Sequence, residues 1–283
     1  MTVTDAELST YASSHDIITL GVAADDARRG KHASRTTYLR VHDVDAAPGS
    51  AVDVPSTAGE VRIVGRPVSV AAAVARVGEV AAAAGAVPVS GYSLADLEEL
   101  AAAEQVPLRT LLEDLKRAGL ELVAEAPIDK LRDARLAIEE TNISGLSLAR
   151  LTVHALPTAD IPALYRQVAA LQQQVGVIRA FAPLPRSVNP AVPTTGYDDV
   201  RRVALARLFV PNIPSIQVDW ALYGPKLAQV ALTVGADDLD GVSPVDTVPE
   251  GRRRAPLEEV RRNISAASLV PVERDGRFDV RAQ

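Results

Sequence analysis

The chain has 283 residues, of which 47% are hydrophobic and 23% are charged, and its net charge is −6. This composition is that of a folded globular protein, and the acidic balance argues against a nucleic-acid partner, whose phosphates need a basic surface. The most apolar stretch, residues 68–89, contains charges and a proline, and the N-terminus lacks the pattern of a secretory leader. We therefore expect no membrane association and a cytoplasmic protein.

Helical patterns fill residues 1–34, which form an N-terminal lead-in. Thr4 and Glu7 have the spacing of a capping box, which indicates that the first helix begins there. The period then changes to two, and the β-branched and aromatic residues 36–41 predict the first strand. Residues 43–59 are rich in Pro, Gly, Ser and Asp and have no helical period, so this segment is predicted to be a surface loop.

Predicted strands and helices alternate from residue 60 onward. The strands are predicted over residues 60–64, 87–90, 120–125, 146–154, 177–184, 215–218 and 269–273. The helices are predicted over residues 69–84, 94–103, 108–118, 129–140, 161–175, 198–209, 225–234 and 257–267. This alternation indicates βαβ units and a parallel sheet. No glycine-rich phosphate-binding motif follows a strand, which favours a barrel over a nucleotide-binding open sheet.

The fold class is therefore α/β, and we expect one TIM-barrel-like domain over residues 1–283. The barrel is expected to be partial or irregular, because the loop 43–59 connects the first two strands where a barrel helix belongs. Residues 256–283 are predicted to form a C-terminal helix and tail.

The inventory of reactive side chains excludes several kinds of site. The chain contains no cysteine, so we expect no thiolate-ligated iron–sulfur cluster. The four histidines are scattered through the sequence, and no spacing brings together the three or four ligands of a metal site. We therefore expect no metal.

Polar residues at the end of strand 215–218 are candidate ligand contacts, because barrel enzymes bind ligands at the carboxyl ends of their strands. These residues are Gln217, Asp219 and Trp220. Asp219 stands among apolar neighbours and needs solvent or a partner, whereas packing is the alternative role for Trp220. Lys226 opens the next helix, where the helix dipole disfavours a cation unless an anion binds there.

Other strand ends supply further candidates. Arg40 and His42 end the first strand and are expected to line a ligand site. Glu125 and His154 end two later strands and join Asp219 as candidate catalytic groups, with a core role as the alternative for His154. Three acids near residue 238 are interpreted as turn caps after a helix that ends at Gly235; they are Asp237, Asp238 and Asp240.

Two stretches of the C-terminal half carry a family resemblance. Residues 193–208 begin Pro-Thr-Thr-Gly-Tyr-Asp-Asp-Val-Arg. Residues 212–220 read Asn-Ile-Pro-Ser-Ile-Gln-Val-Asp-Trp, and residues 235–241 read Gly-Ala-Asp-Asp-Leu-Asp-Gly. They resemble the radical S-adenosylmethionine enzymes of the futalosine route to menaquinone, aminofutalosine synthase and the dehypoxanthine futalosine cyclase. The resemblance extends to residues 60–65 and 92–101.

The resemblance implies a TIM-type barrel and a [4Fe–4S] cluster that cleaves S-adenosylmethionine. In the family, a Cys-x3-Cys-x2-Cys loop and a helix lie between the first two strands, where this chain has residues 43–59. We therefore expect neither the cluster nor S-adenosylmethionine binding. The preferred hypothesis is a menaquinone-biosynthesis protein without radical activity, which binds a menaquinone precursor or pairs with an authentic radical paralogue.

Two alternatives remain open from the residues alone. One is a lyase or isomerase that carries out acid–base chemistry in the same barrel with Asp219, His154 or Glu125. The other is a structural or regulatory protein whose barrel interior is filled and holds no pocket.

Overall fold

Ten helices and ten strands occur in the part of the chain that the structure, a computed structural model, describes: residues 4–47, 49, 52–155, 160–187, 194–248 and 254–281. The helices are α1 (Asp5–Ser13), α2 (Ile17–His32), α3 (Val70–Ala84), α4 (Leu94–Ala103), α5 (Leu108–Ala118), α6 (Ala134–Ile143), α7 (Ile161–Val175), α8 (Gly196–Phe209), α9 (Trp220–Leu232) and α10 (Pro256–Ala266). The strands are β1 (Arg35–Asp45), β2 (Glu60–Val64), β3 (Val89–Ser93), β4 (Leu122–Pro127), β5 (Ser147–Leu148), β6 (Leu151–Val153), β7 (Ala180–Pro185), β8 (Ser215–Asp219), β9 (Asp238–Val242) and β10 (Val270–Arg274).

Eight parallel strands close into a barrel. Their order is β1-β2-β3-β4-β6-β7-β8-β9, and β9 pairs with β1 to complete the ring. This confirms the TIM-type fold; of the two forms expected, partial or irregular, the barrel is closed, and it is irregular in having no described helix between β1 and β2. Closure depends on the length of β1, because its residues 41–45 pair with β2 while Thr37, Tyr38 and Arg40 pair with β9.

The connection from β1 to β2 contains no helix among its described residues, as the sequence pattern indicated. It begins at residue 46 rather than 43, because β1 continues to Asp45. Residues 48, 50 and 51 of this predicted loop lie outside the described residues, as do residues 1–3 of the lead-in and residues 249–253, 282 and 283 near the C-terminus.

The barrel wall separates an apolar outer face from a charged interior. On β2, Val61 and Ile63 are buried against the helices, whereas Glu60 and Arg62 are buried on the opposite face of the strand. The alternation follows from the period of two along a strand. No helix in the described part of the chain is long and apolar enough to cross a membrane.

Strand β9 is the element that the sequence pattern did not predict. The interpretation of its acids as turn caps is wrong, because Asp238 and Asp240 are 0% and 1% exposed within the barrel. A strand whose alternate residues are acids shows no hydrophobic face and resembles a turn. Helix α9 also begins earlier than predicted, at Trp220, and kinks at Gly224, where φ is 75°.

The end of α5 provides a test of backbone geometry. Gly119 has a φ of 112°, and a Cβ built there would lie 2.6 Å from the Cβ of Ala81. Gly119→Ala should therefore lower the free energy of unfolding by about 1–3 kcal/mol. Gly78→Ala is the matched control, because Gly78 lies inside α3 with no atom near its added Cβ, and it should raise stability by about 0.5–1 kcal/mol. Urea unfolding measures the free energy of unfolding of both variants, and an equal change in the two would contradict this explanation.

Candidate functional site at the mouth of the barrel

A buried carboxylate with two guanidinium partners lies at mid-height in the barrel. Asp240 accepts hydrogen bonds from Arg62 Nη1 and Nη2, each at 2.9 Å, and a third from Arg150 Nη1. Arg62 also donates from Nε to Glu60 at 2.8 Å. Burial by itself disfavours the charged form of Asp240, but Arg150 and Arg62 hold the pKa of its carboxyl well below its usual range.

A second ion-pair cluster lies above it, at the carboxyl ends of the strands. Arg186, just after β7, places Nε 3.0 Å from Glu125 Oε2 and Nη1 2.5 Å from Asp219 Oδ2. Asp219 also caps α9, since its Oδ1 accepts from the backbone N–H of Leu222 at 2.9 Å. Strands β4, β7 and β8 therefore fix one Arg between two carboxylates at the mouth.

A cavity of about 270 Å³ opens between these two clusters, and Arg62, Arg150, Arg186 and Glu125 line it. Arg150 is 3% exposed, and its Nε is buried without a hydrogen-bond acceptor in the described structure. Burial, and then the nearby charge of Arg62, lowers the pKa of the Arg150 guanidinium. A guanidinium remains protonated in proteins, so this buried donor would be stabilised by an acceptor in the cavity.

Asp43 is an acid of different character at the same mouth. It lies opposite Arg62 in the β1–β2 register, is open to solvent, and forms no hydrogen bond or ion pair with any described residue. Desolvation by the surrounding wall raises the pKa of its carboxyl; the charge of Arg62 opposes this, while Asp240 and Asp219 add to it.

The structure brings two of the predicted catalytic candidates together, since Asp219 and Glu125 share Arg186. Gln217 lies deeper in the barrel, where its Nε2 donates to Asp238 at 2.7 Å, and Trp220 is buried in the hydrophobic core. His154 is half-buried after β6, and its backbone N–H donates to Asp129 rather than to a mouth residue.

The remaining candidates do not line the mouth. Arg40 donates to Glu273 of β10 at 3.0 Å and to Asp246 at 3.1 Å. The period of two along β1 places Arg40 and His42 on its outer face, opposite Asp43. Lys226 follows the kink in α9 and lines an outer groove instead of the barrel. Ligand contact by Arg40, His42 and Lys226 stays a prediction, and their positions outside the barrel do not support it.

Sequence reasoning missed the arginines that build the site. Arg62 and Arg150 pair with Asp240, which is 178 and 90 residues away along the chain. Their signal was a charged residue inside a short buried strand, since such a residue must find a partner of opposite charge. Arg186 carried a weaker signal as the first residue after β7.

Comparisons with known proteins identify the relationship. Residues 184–283 match the family model of the CofH/MqnC C-terminal region. The chain is 29% identical over 228 residues to aminodeoxyfutalosine synthase of Thermus thermophilus, an alignment that covers 68% of this chain and 60% of that protein. It is 26% identical over 181 residues to cyclic dehypoxanthine futalosine synthase of Streptomyces coelicolor, covering 58% and 45%. The chain is related to the futalosine-pathway radical S-adenosylmethionine enzymes.

The resemblance seen in the sequence is thereby confirmed, although this relative of the CofH/MqnC enzymes spans only about 60% of the length of the Thermus synthase. Solved structures agree on the fold. Methylornithine synthase superposes with a TM-score of 0.67 at 14% identity, covering 96% of this chain and 94% of that one. The hydrogenase maturase HydG of Carboxydothermus hydrogenoformans gives 0.66 at 12% identity, covering 96% and 76%.

The prediction that the protein has no cofactor is wrong, because it is contradicted by the cofactors of its relatives. The futalosine-pathway relatives are radical enzymes that use a [4Fe–4S] cluster and S-adenosylmethionine, and a chain without cysteine does not establish that the family has lost them. The side chains present here do not fit a thiolate-held cluster, because the sequence has no cysteine. The described residues also include no group of three or more His, Cys, Asp or Glu placed to hold a metal.

Removing the central carboxylate tests the charged interior. Asp240→Asn should lower the free energy of unfolding by about 3–5 kcal/mol, because Arg62 and Arg150 would remain buried without their anion. Asp114→Asn is the control, since it breaks an exposed i,i+3 ion pair with Arg117 and should cost less than about 0.5 kcal/mol. Denaturant unfolding measures both variants, and a small effect of Asp240→Asn would contradict the account.

Replacing Asp43 should change the free energy of unfolding in the opposite direction from replacing Asp240. Its pKa is raised on folding, so the ionised carboxylate costs stability at neutral pH, and this cost disappears as the pH falls through the raised pKa towards the ordinary value of 3.8. Asp43→Asn should stabilise the protein at pH 7 by less than about 1 kcal/mol, because the group is partly solvated. Stability measured against pH should show the gain shrinking in acid; a gain independent of pH would contradict this.

Proposed function

We propose that this protein is a binding subunit of the futalosine route, and that the mouth of its barrel holds a small menaquinone precursor. The relationship to the CofH/MqnC enzymes supports a role in the futalosine pathway. The fold supports a ligand site at the carboxyl ends of the strands, because TIM barrels bind ligands there. The single observation that carries the proposal is the unpartnered Nε of Arg150 beside the 270 Å³ cavity.

The polar groups of the cavity define the ligand chemistry. Arg150 and Arg186 donate, so the ligand presents a carboxylate or carbonyl oxygen. Glu125 and Asp96, the two acids that line the cavity, accept, so the same ligand offers N–H or O–H groups at its edge. A nucleoside-type precursor such as aminodeoxyfutalosine, which the Thermus relative is named for making, presents both kinds of group. The volume is near the lower end of ligand cavities, about 300 Å³, and suits one ring or side arm of such a molecule.

A partner role is the second version of this proposal. The subunit would then act beside an authentic radical paralogue, and a pull-down with that paralogue as bait tests it. Recovery of the complex supports the partner role, and failure to recover it at high concentration of both proteins removes it.

Acid–base catalysis is a second candidate, favoured by one observation: Glu125 and Asp219 face each other across Arg186 at the mouth. Both oxygens of Asp219 are already engaged, by Arg186 and by the backbone N–H of Leu222, which makes binding the better supported role. The alternative of a filled barrel without a pocket has no support, because the cavity lies at the position where a ligand is expected.

Ligand-induced stabilisation tests the binding role. Futalosine and aminodeoxyfutalosine should raise the melting temperature in proportion to the logarithm of their concentration. Arg186→Met should weaken binding at least about tenfold by removing a charged donor, and Arg186→Lys should restore part of it. Arg135→Met, on the exposed face of α6, is the control and should bind as the wild type does.

Two results would count against the proposal. If neither nucleoside stabilises the wild-type protein at millimolar concentration, the ligand role is removed. If Arg186→Met binds as tightly as Arg135→Met, the ligand binds elsewhere.

A further inference from the structure

An apolar groove of about 760 Å³ lies on the outside of the barrel, between α2, α8 and α9. Its rim carries large hydrophobic side chains that remain exposed: Ile18 is 76% exposed, Val22 58% and Val230 47%. Single exposed apolar residues are ordinary on a protein surface. These three line the same groove, with Ile18 and Val22 one helical turn apart on α2, which makes a continuous apolar strip.

The three helices that form the groove run in the same direction. At one end, Tyr197 of α8 donates its Oη hydrogen to the backbone oxygen of His15, just before α2 begins. At the other end, Lys31 of α2 donates to the backbone oxygen of Pro211, just after α8 ends. Helix α9 follows β8 as α8 follows β7, so it also runs from the mouth of the barrel towards the bottom.

Two opposite charges stand at opposite ends of the strip. Lys226 lies near the start of α9, on the mouth side of the strip, because Val234 and Gly235, just after the end of α9, already lie beside Gly21 and Ala24 of α2. Asp26 lies towards the other end, about 12 Å beyond Ile18 along α2 at 1.5 Å per residue. Both side chains are exposed and line the groove. Neither forms a hydrogen bond or an ion pair with another described residue, whereas the neighbouring Asp25 is paired with Arg28 and Arg29.

We propose that the occupant of this groove is a second copy of the chain, with the two α2 helices antiparallel across a two-fold axis near Val22. In that arrangement Val22 of each copy meets its counterpart, and Ile18 reaches the groove of the partner. Turning the second helix end for end carries its Asp26 towards the end of the strip that bears Lys226, within reach of the long lysine side chain, and the symmetry makes the same pair a second time. A two-fold interface requires such a self-complementary patch, because every residue pair occurs twice.

The charge arrangement selects a copy of this chain over an unrelated helix. A base at one end of an apolar strip and an acid at the other match the same strip turned around. Lys226 and Asp26 would each gain a partner at the rim, where opposite charges fix the register and orientation of two surfaces. The inference does not depend on the ligand at the barrel mouth, which lies on another face of the molecule.

Charge reversal tests the proposal by sedimentation equilibrium across a range of protein concentrations. The wild-type chain should be a dimer, and Lys226→Glu or Asp26→Lys alone should weaken dimerisation at least about tenfold by placing like charges together. The double variant should recover dimerisation, because the exchanged charges pair again. Circular dichroism should show the same fold for all four proteins, since both side chains are exposed.

Val22→Asp provides a second arm, with Val68→Asp as its control, because Val68 is 83% exposed and does not line the groove. The first should give a monomer and the second should leave the dimer intact. Three outcomes would overturn the proposal: a wild-type monomer at every concentration, a dimer that ignores both charge reversals, or a groove that binds a radical paralogue while the chain alone stays monomeric.

Discussion

The carboxylate of Asp240, buried between Arg62 and Arg150, is the interaction on which the barrel and its mouth depend. Three strands, β2, β6 and β9, meet at this one group. A buried charge without a partner is costly, so Arg150 depends on this acid, whereas Arg62 is shared between Asp240 and Glu60. The ring of strands is thereby held closed by a polar centre where many barrels have a packed apolar one.

The same interaction sets the chemistry of the mouth. Asp240 accepts hydrogen bonds from Nη1 and Nη2 of Arg62 and from Nη1 of Arg150. Nε of Arg150 has no acceptor in the described structure and lies beside the cavity. Arg186 is held above it by Glu125 and Asp219, so that donors and acceptors alternate around one small space. Rigid placement of this kind lowers the entropic cost of ligand binding, since the side chains are already ordered.

The sequence predicted those parts of the fold whose signals are local. Helices 108–118 and 161–175 agree with α5 and α7 because proline marks their starts and glycine their ends. Helix 94–103 agrees with α4, whose leucines and alanines repeat along one buried face. Strand β9 was missed because its alternate acids hide the strand period. The site was predicted in part: Asp219 and Glu125 follow from their positions at strand ends, whereas Arg150 and Arg186 depend on partners brought close only by the closed ring.

Conversely, Arg40 and His42 show the limit of reasoning from a strand's end alone. Both lie on β1 near the mouth, yet the period of two turns them outward, and Arg40 pairs with Glu273 of β10. Their assignment required the register of β1, which the sequence leaves open because both of its faces carry polar residues.

The most direct test of the account is the side-chain NMR signal of Arg150 Nε in protein labelled with ¹⁵N-arginine, assigned by comparison with Arg150→Lys. During titration with aminodeoxyfutalosine, the account predicts that the Nε–H signals of Arg150 and Arg186 shift together and saturate at one ligand per barrel. Saturable binding that leaves the Arg150 signal unmoved, while surface arginines shift, would contradict it.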